Sequence, residues 1–365
     1  MLATAEISGE TKTKVVDGDG HIIERDAELF EFLEPPYRGN TALLGFPFFP
    51  TLDGFQRGAI IARNGIFKEY TIDAHTWLDF IDQVGIESTV LYPTAGLAFG
   101  LIQDPEWATV LARAYNNWFY ERYYRHDNRL RGVALVPLQD VGEAVKELRR
   151  AMTELHMAGI VLTANNADMG VRKLLGDRDY WPLYEEAEKL NCAVAIHGAV
   201  SMNLGLGGMH GFAGVQALEH PLAQMIQLTS MVFEGVFERF PKLRVAYLEA
   251  GTGWVPFIMD RLDRSYGVWA SMARREHSDM CKKPPSAYIT SGNLFFSCEG
   301  GEESLRYAIE RVGSECLLFA SDFPHETNVE RAKHEIDELR ERADISDEHK
   351  RNILEGITVK RFYQR

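Results

Sequence analysis

The chain has 365 residues, of which 45% are hydrophobic, and its formal net charge at pH 7 is −14. The length allows either one large barrel or two ordinary domains, and the hydrophobic content is that of a globular protein with an ample core. The excess of acidic groups argues against nucleic acid and anionic membranes as partners, and no apolar run approaches the ~18 residues of a membrane helix. Acidity alone says nothing about the substrate. The first residues show no basic segment followed by an apolar stretch, which predicts a cytoplasmic location.

The N-terminal part of the chain divides into three segments. Residues 1–14 are polar and are predicted to form an N-terminal arm, and residues 15–365 are predicted to be a single barrel domain, with a first strand at 15–17. Residues 24–75 are rich in Pro, Gly and Phe and show no clear period, which predicts an insertion that covers the barrel mouth as a lid or a subunit contact. Within it, the apolar run at 43–50 predicts a homo-oligomer, or a hetero-oligomer with a related subunit.

From residue 76 onward, strand-like and helix-like patterns alternate. The strand-like runs are short and apolar on both faces, which is typical of buried parallel strands. Right-handed crossovers between them predict a TIM-type (β/α)8 barrel, and a doubly wound sheet with a cap domain is the alternative. The strand-like runs are 15–17, 88–92, 132–136, 159–162, 192–196, 243–248, 294–298 and 317–320, and the helix-like segments include 77–84, 105–125, 145–155, 183–190, 220–238, 254–278 and 329–339.

Histidine or acidic residues follow directly after four of these apolar runs. Because the carboxyl ends of barrel strands meet at one mouth, we expect these side chains to lie close together. Imidazole and carboxylate together suit borderline divalent metals such as zinc, manganese or iron. A turn at Asp-Gly-Asp-Gly is the alternative explanation for the first position. The candidate metal ligands are Asp19, His21, His197, Glu249, Asp322 and His325.

Two of these carboxylates, Glu249 and Asp322, end apolar runs that should be buried. An ionised carboxylate in such a place needs a cation or several hydrogen-bond donors to offset its desolvation. Pro324 restricts the turn after Asp322, which allows His325 to fold back toward the mouth.

Three further histidines are weaker candidates. His210 lies in a glycine-rich loop and His75 lies at the end of the insertion, so both are candidate substrate-binding residues. His220, which precedes a proline, is more typical of a solvent-exposed or helix-capping residue.

Several motifs resemble the amidohydrolase-related family 2, a branch of the metal-dependent amidohydrolase superfamily. The similarity spans about residues 15 to 360. It implies a (β/α)8 barrel with a divalent metal held by Asp19, His21, His197 and Asp322. The motifs are DGDGHIIE at 17–24, RLRGVALVPL at 129–138, IHG at 196–198, FPKLRV at 240–245, EAGTGWVP at 249–256 and SDFPH at 321–325.

The chain departs from the decarboxylases of this family at two positions. Those enzymes carry a histidine at the sixth strand end, where this chain has Glu249, and their eighth-strand turn usually lacks a histidine such as His325. The resemblance therefore leaves two functions open. The first is metal-assisted hydrolysis or decarboxylation of a small organic acid, a class that includes aromatic acids. The second is a dinuclear iron or manganese oxygenase (a monooxygenase), because six ligands would suit two ions.

The chemistry suggests a role for each catalytic candidate. Asp322 would be both a metal ligand and a proton shuttle, because a carboxylate can hold a proton beside a polarised group. Glu249 would act as a base that orients water or His325. In the oxygenase alternative Glu249 would be a bridging or terminal ligand, and His325 would hold the second ion.

Overall fold

The computed structural model describes residues 15–52, 71–165, 169–198, 202–276 and 280–364. Eight parallel strands form one sheet in which each strand pairs with the next along the chain. Helices separate them, and the arrangement is a nearly closed barrel, so the predicted TIM-type fold is confirmed. The strands are β1 Val15–His21, β2 Ile86–Tyr92, β3 Leu130–Leu135, β4 Gly159–Thr163, β5 Ala193–His197, β6 Arg244–Leu248, β7 Leu294–Cys298 and β8 Leu317–Phe319.

The barrel closes where β8 approaches β1. The backbone N–H of Asp322 donates to the carbonyl of Asp19 at 3.0 Å, and the N–H of His21 donates to the carbonyl of Phe323 at 2.7 Å. In β1, β5 and β8 every residue is buried, because inward side chains fill the barrel and outward ones pack under helices. These bonds join the segment just after β8 to the end of β1, where candidate ligands lie on both.

The helices pack around the barrel, and several of them begin at a capping side chain. Asp73, Asp104 and Asp140 each accept a backbone N–H in the first turn of the helix that follows. The helices are α1 Asp26–Leu29, α2 Ala74–Val84, α3 Pro105–Phe119, α4 Val141–Thr153, α5 Trp181–Lys189, α6 Phe212–Phe233, α7 Val236–Arg239, α8 Trp254–Glu276, α9 Pro285–Ile289, α10 Leu305–Val312, α11 Val329–Glu341, α12 Asp347–Leu354 and α13 Ile357–Tyr363. A π-helical turn at Tyr120–Tyr124 and short 3-10 turns at Phe30–Phe32, Thr41–Gly45, Ala95–Leu101, Arg178–Tyr180, Leu206–Gly208 and Ser314–Cys316 complete them.

One predicted helix begins in the wrong place. The pattern predicted a helix over 220–238, but α6 begins at Phe212 and contains Pro221 in its interior. A proline often marks the first turn of a helix, since it lacks a backbone N–H. Here Val215 and Glu219, upstream of the proline, are buried against the rest of the protein, and this packing extends the helix in the N-terminal direction.

The described part of the predicted insertion packs on the chain itself. Phe48 is 3% exposed and its ring contacts Trp107 at a centroid distance of 5.4 Å, and Phe49 is 5% exposed and contacts Phe99. The prediction that the whole 43–50 run forms an oligomer contact is therefore wrong for its two innermost rings, because they belong to the core of this chain. Phe46, 73% exposed, keeps an outward position. Residues 53–70 of the predicted lid lie outside the described residues.

None of the helices in the described ranges is both long enough and apolar enough to cross a membrane.

Candidate metal centre

The first strand carries three polar side chains into the barrel, and the first of them is structural. Asp17 accepts hydrogen bonds from the hydroxyl of Thr89 at 2.7 Å and from the backbone N–H and hydroxyl of Ser321, both at 2.9 Å. These bonds tie β1 to β2 and to the segment after β8. Asp17 therefore supports the mouth of the barrel.

Three predicted ligands from β1 and β5 meet at the barrel mouth. Asp19 Oδ1 lies 3.7 Å from His21 Nε2 and 3.8 Å from His197 Nε2. All three residues are buried, and one ligand atom from each lies within 4.8 Å of the others. Two ligands bonded tetrahedrally at 2.0–2.1 Å lie roughly 3.3 Å apart. The spacing is thus close to that of ligands around one ion.

The ring orientations of both histidines expose a lone pair to the cluster. His21 Nδ1 lies 2.9 Å from the carbonyl oxygen of Pro93, and His197 Nδ1 lies 2.7 Å from that of Gly198. A carbonyl only accepts, so Nδ1 carries the proton and Nε2 keeps its lone pair. Burial lowers the pKa of His197 to about 3 and, with His325 and His197 nearby, lowers the pKa of His21 well below its usual value. Both rings are therefore neutral, as metal ligands must be.

The buried atoms of the cluster fit a divalent cation. Asp19 Oδ1, His21 Nε2 and His197 Nε2 have no hydrogen-bond partner within the described part of the chain. Burial, followed by the charges of Asp322 and Asp17, raises the pKa of Asp19 well above its usual value. A buried carboxylate facing two imidazole lone pairs is costly without a cation between them. The donor set of nitrogen and oxygen suits zinc, manganese or iron.

Asp322 and His325 adjoin this cluster. Asp322 Oδ1 lies 3.6 Å from His21 Nε2 and 2.9 Å from His325 Nδ1, while His325 Nε2 lies 2.8 Å from the Thr94 hydroxyl. His21, Asp322 and His325 form a second group of possible ligands. Both ring nitrogens of His325 already make hydrogen bonds, so ligation by His325 would require one of these bonds to break.

Glu249 approaches the cluster from the β5 side. Its Oε2 lies 3.1 Å from His197 Nε2 and 3.7 Å from His220 Nδ1. The hydrogen bonds of His325 are with Asp322 and Thr94. These two residues orient His325, in place of the predicted Glu249. The short distance to His197 instead places the Glu249 carboxylate beside the metal ligands.

Glu249 and Asp322 both have left-handed backbone conformations, with φ values of 55° and 51°. Side chains other than glycine, asparagine and aspartate seldom adopt this region, and strained residues of this kind concentrate at functional sites. Glu249, a residue type that seldom takes this conformation, is therefore also marked by its backbone.

Two of the three weaker candidates, His75 and His210, lie apart from the cluster. His75 is in the first turn of α2, where its 84% exposed side chain pairs with Asp79 at 3.5 Å. His210 is exposed in the loop before α6. The structure joins neither to the ligands, and substrate contact by either stays a prediction.

His220, which the sequence favoured as a solvent-exposed or helix-capping residue with substrate contact as the alternative, is only 5% exposed. It lies inside α6, with Nε2 3.3 Å from Glu219 Oε1 and Nδ1 toward Glu249. A Cβ on Gly198 would lie 3.0 Å from His220 Nδ1, so a glycine after His197 permits this approach. The sequence feature that could have indicated the burial of His220 is a His-Pro pair inside a long apolar segment.

The sequence argument missed Glu299. It lines a pocket beside the cluster together with Asp19, Glu249 and Asp322. Burial, then the charges of Glu302, Glu335 and Asp322, raises the pKa of Glu299 to about 7. The pocket next to the ligands is therefore rich in carboxyl groups.

Gly20 is expected to be intolerant of a side chain. A Cβ at this position would overlap Trp77, whose Cζ2 would be 2.9 Å away and whose indole N–H holds the His21 carbonyl. Gly20→Ala should lower the free energy of unfolding by about 1–3 kcal/mol, measured by urea denaturation. Gly207→Ala, where an added Cβ meets nothing within 4 Å, is the control. Equal stabilities of the two variants would contradict the packing argument.

Comparison with known proteins places the chain in a family. The amidohydrolase family model matches residues 84–356, which is most of the chain. The chain belongs to the amidohydrolase family. The resemblance noted in the motifs is thereby confirmed, and this amidohydrolase is an enzyme of barrel fold.

Its curated relatives include two kinds of decarboxylase. The chain is 27% identical to the 2-amino-3-carboxymuconate-6-semialdehyde decarboxylase of Dictyostelium discoideum, over 80% of this chain and 77% of that protein. It is 26% identical to a gamma-resorcylate decarboxylase of a Polaromonas species, over 69% of this chain and 77% of that protein.

Solved structures share the fold. A 2,6-dihydroxybenzoate decarboxylase from Rhizobium has a TM-score of 0.72 and 20% identity, covering 96% of this chain and 99% of its own. A dihydroxybenzoic acid decarboxylase from a Polaromonas species, solved with manganese and the inhibitor 2-nitroresorcinol, has a TM-score of 0.71 and 20% identity, covering 96% and 97%.

Proposed function

We propose that this amidohydrolase is a metal-dependent decarboxylase of a small aromatic or otherwise unsaturated carboxylic acid. The observation that carries the proposal is the neutral-imidazole and carboxylate cluster of Asp19, His21 and His197, with Asp322 beside it, at the mouth of a barrel shared with decarboxylases. The manganese in the Polaromonas structure supports a divalent ion of the same class here.

In the proposed site, Asp19, His21, His197 and Asp322 hold the ion. When bound, the ion supplies Lewis-acid polarisation of the substrate's oxygen atoms. The imidazoles are aimed by Pro93 and Gly198, so the site is prepared before substrate arrives.

Asp322 carries the proton that the reaction consumes. Decarboxylation breaks the bond between a ring carbon and its carboxylate carbon, releases CO2, and requires a proton at the same ring carbon. His325 engages Asp322 Oδ1, so we assign the transferable proton to Oδ2. Asp322 lines the pocket beside the ligands and can face a bound acid there.

Glu249 and His220 complete the wall next to His197. Glu249 Oε2 lies 3.1 Å from His197 Nε2 and 3.7 Å from His220 Nδ1. We infer that the Glu249 carboxyl group holds His197 in place and disfavours substrates with a second acidic group beside it.

The first test uses the acid named for one of the relatives. Manganese-loaded enzyme is mixed with 2,6-dihydroxybenzoate in D2O, and CO2 release is followed together with product mass. We expect one CO2 per product and one deuterium at the carbon that lost the carboxylate, because the proton comes from an exchangeable acid. Chelator-treated enzyme is the control. Hydrolysis of an ester or amide without CO2 release would favour the hydrolase alternative.

The dinuclear oxygenase remains the second candidate, and one observation opposes it. Its second ion would need His325, whose two ring nitrogens bond Asp322 and Thr94. The relatives found are decarboxylases, which supports the first proposal. Consumption of O2 with substrate and two redox-active ions per chain would reverse this preference.

A further inference from the structure

A short loop after β2 contacts two imidazoles of the site. The carbonyl of Pro93 accepts from His21 Nδ1 at 2.9 Å, and the hydroxyl of the next residue, Thr94, lies 2.8 Å from His325 Nε2. The rings of His21 and His325 stack with centroids 4.1 Å apart. One loop therefore sets the orientation of a proposed metal ligand and of the histidine bonded to Asp322.

Glu24 anchors this loop. Its carboxylate accepts backbone N–H bonds from Thr94 at 3.1 Å, Ala95 at 3.0 Å and Gly96 at 2.8 Å. A Cβ on Gly96 would lie 2.7 Å from Pro93 Cβ and 3.0 Å from Glu24 Oε1, so the backbone approaches the carboxylate more closely than a larger residue permits. Charge-assisted bonds of this kind are among the stronger hydrogen bonds in proteins.

The hydrogen bonds of His325 favour one neutral tautomer of its ring. An ionised Asp322 carboxylate can only accept, so the 2.9 Å contact with Asp322 Oδ1 favours a proton on His325 Nδ1. The other nitrogen, Nε2, then accepts, and the Thr94 hydroxyl is its donor. Without that hydroxyl, no group in the described ranges hydrogen-bonds His325 Nε2 and so favours the tautomer that donates to Asp322.

We propose that Thr94, anchored through Glu24, is a positioning residue that fixes His325 as the Nδ1–H tautomer and thereby orients Asp322 for proton transfer. The effect on turnover rests on the proposed decarboxylase function, while the tautomer itself does not. Thr94 acts through His325 and touches neither ion nor substrate in this assignment.

The test compares Thr94→Val, which keeps the shape and removes the hydroxyl, with Thr94→Ser, which keeps the hydroxyl. The control is Thr153→Val, since the Thr153 hydroxyl bonds only a helix carbonyl on an exposed face. We expect Thr94→Val to lower kcat about tenfold, in the range found for groups that orient a metal site, with KM and metal content within about twofold of the parent. Thr94→Ser should recover most of the lost kcat.

A second readout needs no turnover. Nitrogen NMR of zinc-loaded protein labelled with 15N-histidine distinguishes the two neutral tautomers, and the signals lost in His325→Gln identify those of His325. We expect Nδ1–H in the parent and Thr94→Ser, and a shift toward Nε2–H in Thr94→Val. If valine prevents folding, Thr94→Ala removes the same hydroxyl without adding bulk.

Two results would overturn the proposal. One is an unchanged His325 tautomer in Thr94→Val. The other is a loss of activity in both Thr94→Val and Thr94→Ser that parallels a loss of bound metal, because that pattern indicates a role in metal retention. If no acid is decarboxylated by the parent, the proposed function fails, yet the NMR comparison still decides the tautomer.

Discussion

Alanine at both His197 and Asp322 is expected to reduce bound metal from about one ion per chain to almost none. His197 Nε2 lies 3.8 Å from Asp19 Oδ1, and Asp322 Oδ1 lies 3.6 Å from His21 Nε2. Removing both side chains leaves Asp19 and His21 as ligands. Two ligands are too few to retain a divalent ion that water can hydrate. Elemental analysis of protein loaded with manganese and then desalted gives the metal content.

The matched control is His334→Ala combined with Asp347→Ala, whose side chains are 72% and 86% exposed. It should retain as much metal as the parent. Metal content that is the same in the site variant and the control would remove the basis for the site. Two ions per parent chain, in place of one, would favour the oxygenase alternative.

Asparagine at Asp322 is expected to lower kcat by about 10²–10⁴-fold, which is the usual contribution of a positioned acid or base. The amide keeps the shape and one oxygen for the ion and for His325, but it cannot carry the transferable proton. The loss should therefore appear in kcat, with a smaller change in KM. Steady-state decarboxylation kinetics on variants of equal metal content provide the measurement.

Asp347→Asn, at the exposed start of α12, serves as the control and should turn over as the parent does. An Asp322→Asn enzyme with full metal and full turnover would exclude Asp322 as the proton carrier. A variant that has lost its metal would instead assign Asp322 to ion binding alone.

The local pattern of the sequence was sufficient to predict the barrel and to locate the polar residues at its strand ends. Period and length identify short apolar strands between amphipathic helices, and the carboxyl ends of parallel strands share one mouth. Asp19, His21 and His197 were therefore expected to meet although they come from distant parts of the chain, and their ligand atoms do lie together. Their role as ligands stays a proposal.

Other features depend on contacts that no local pattern specifies. Thr94 and His325 are separated by 231 positions, and His220 reaches Glu249 because α6 begins earlier than its proline suggested. The burial of Phe48 likewise depends on Trp107. A sequence determines which side chains are apolar, charged or conformationally restricted, and hence which elements form. Tertiary packing decides which of those side chains come within bonding distance, since angles and distances across the barrel mouth are set by all eight strands together.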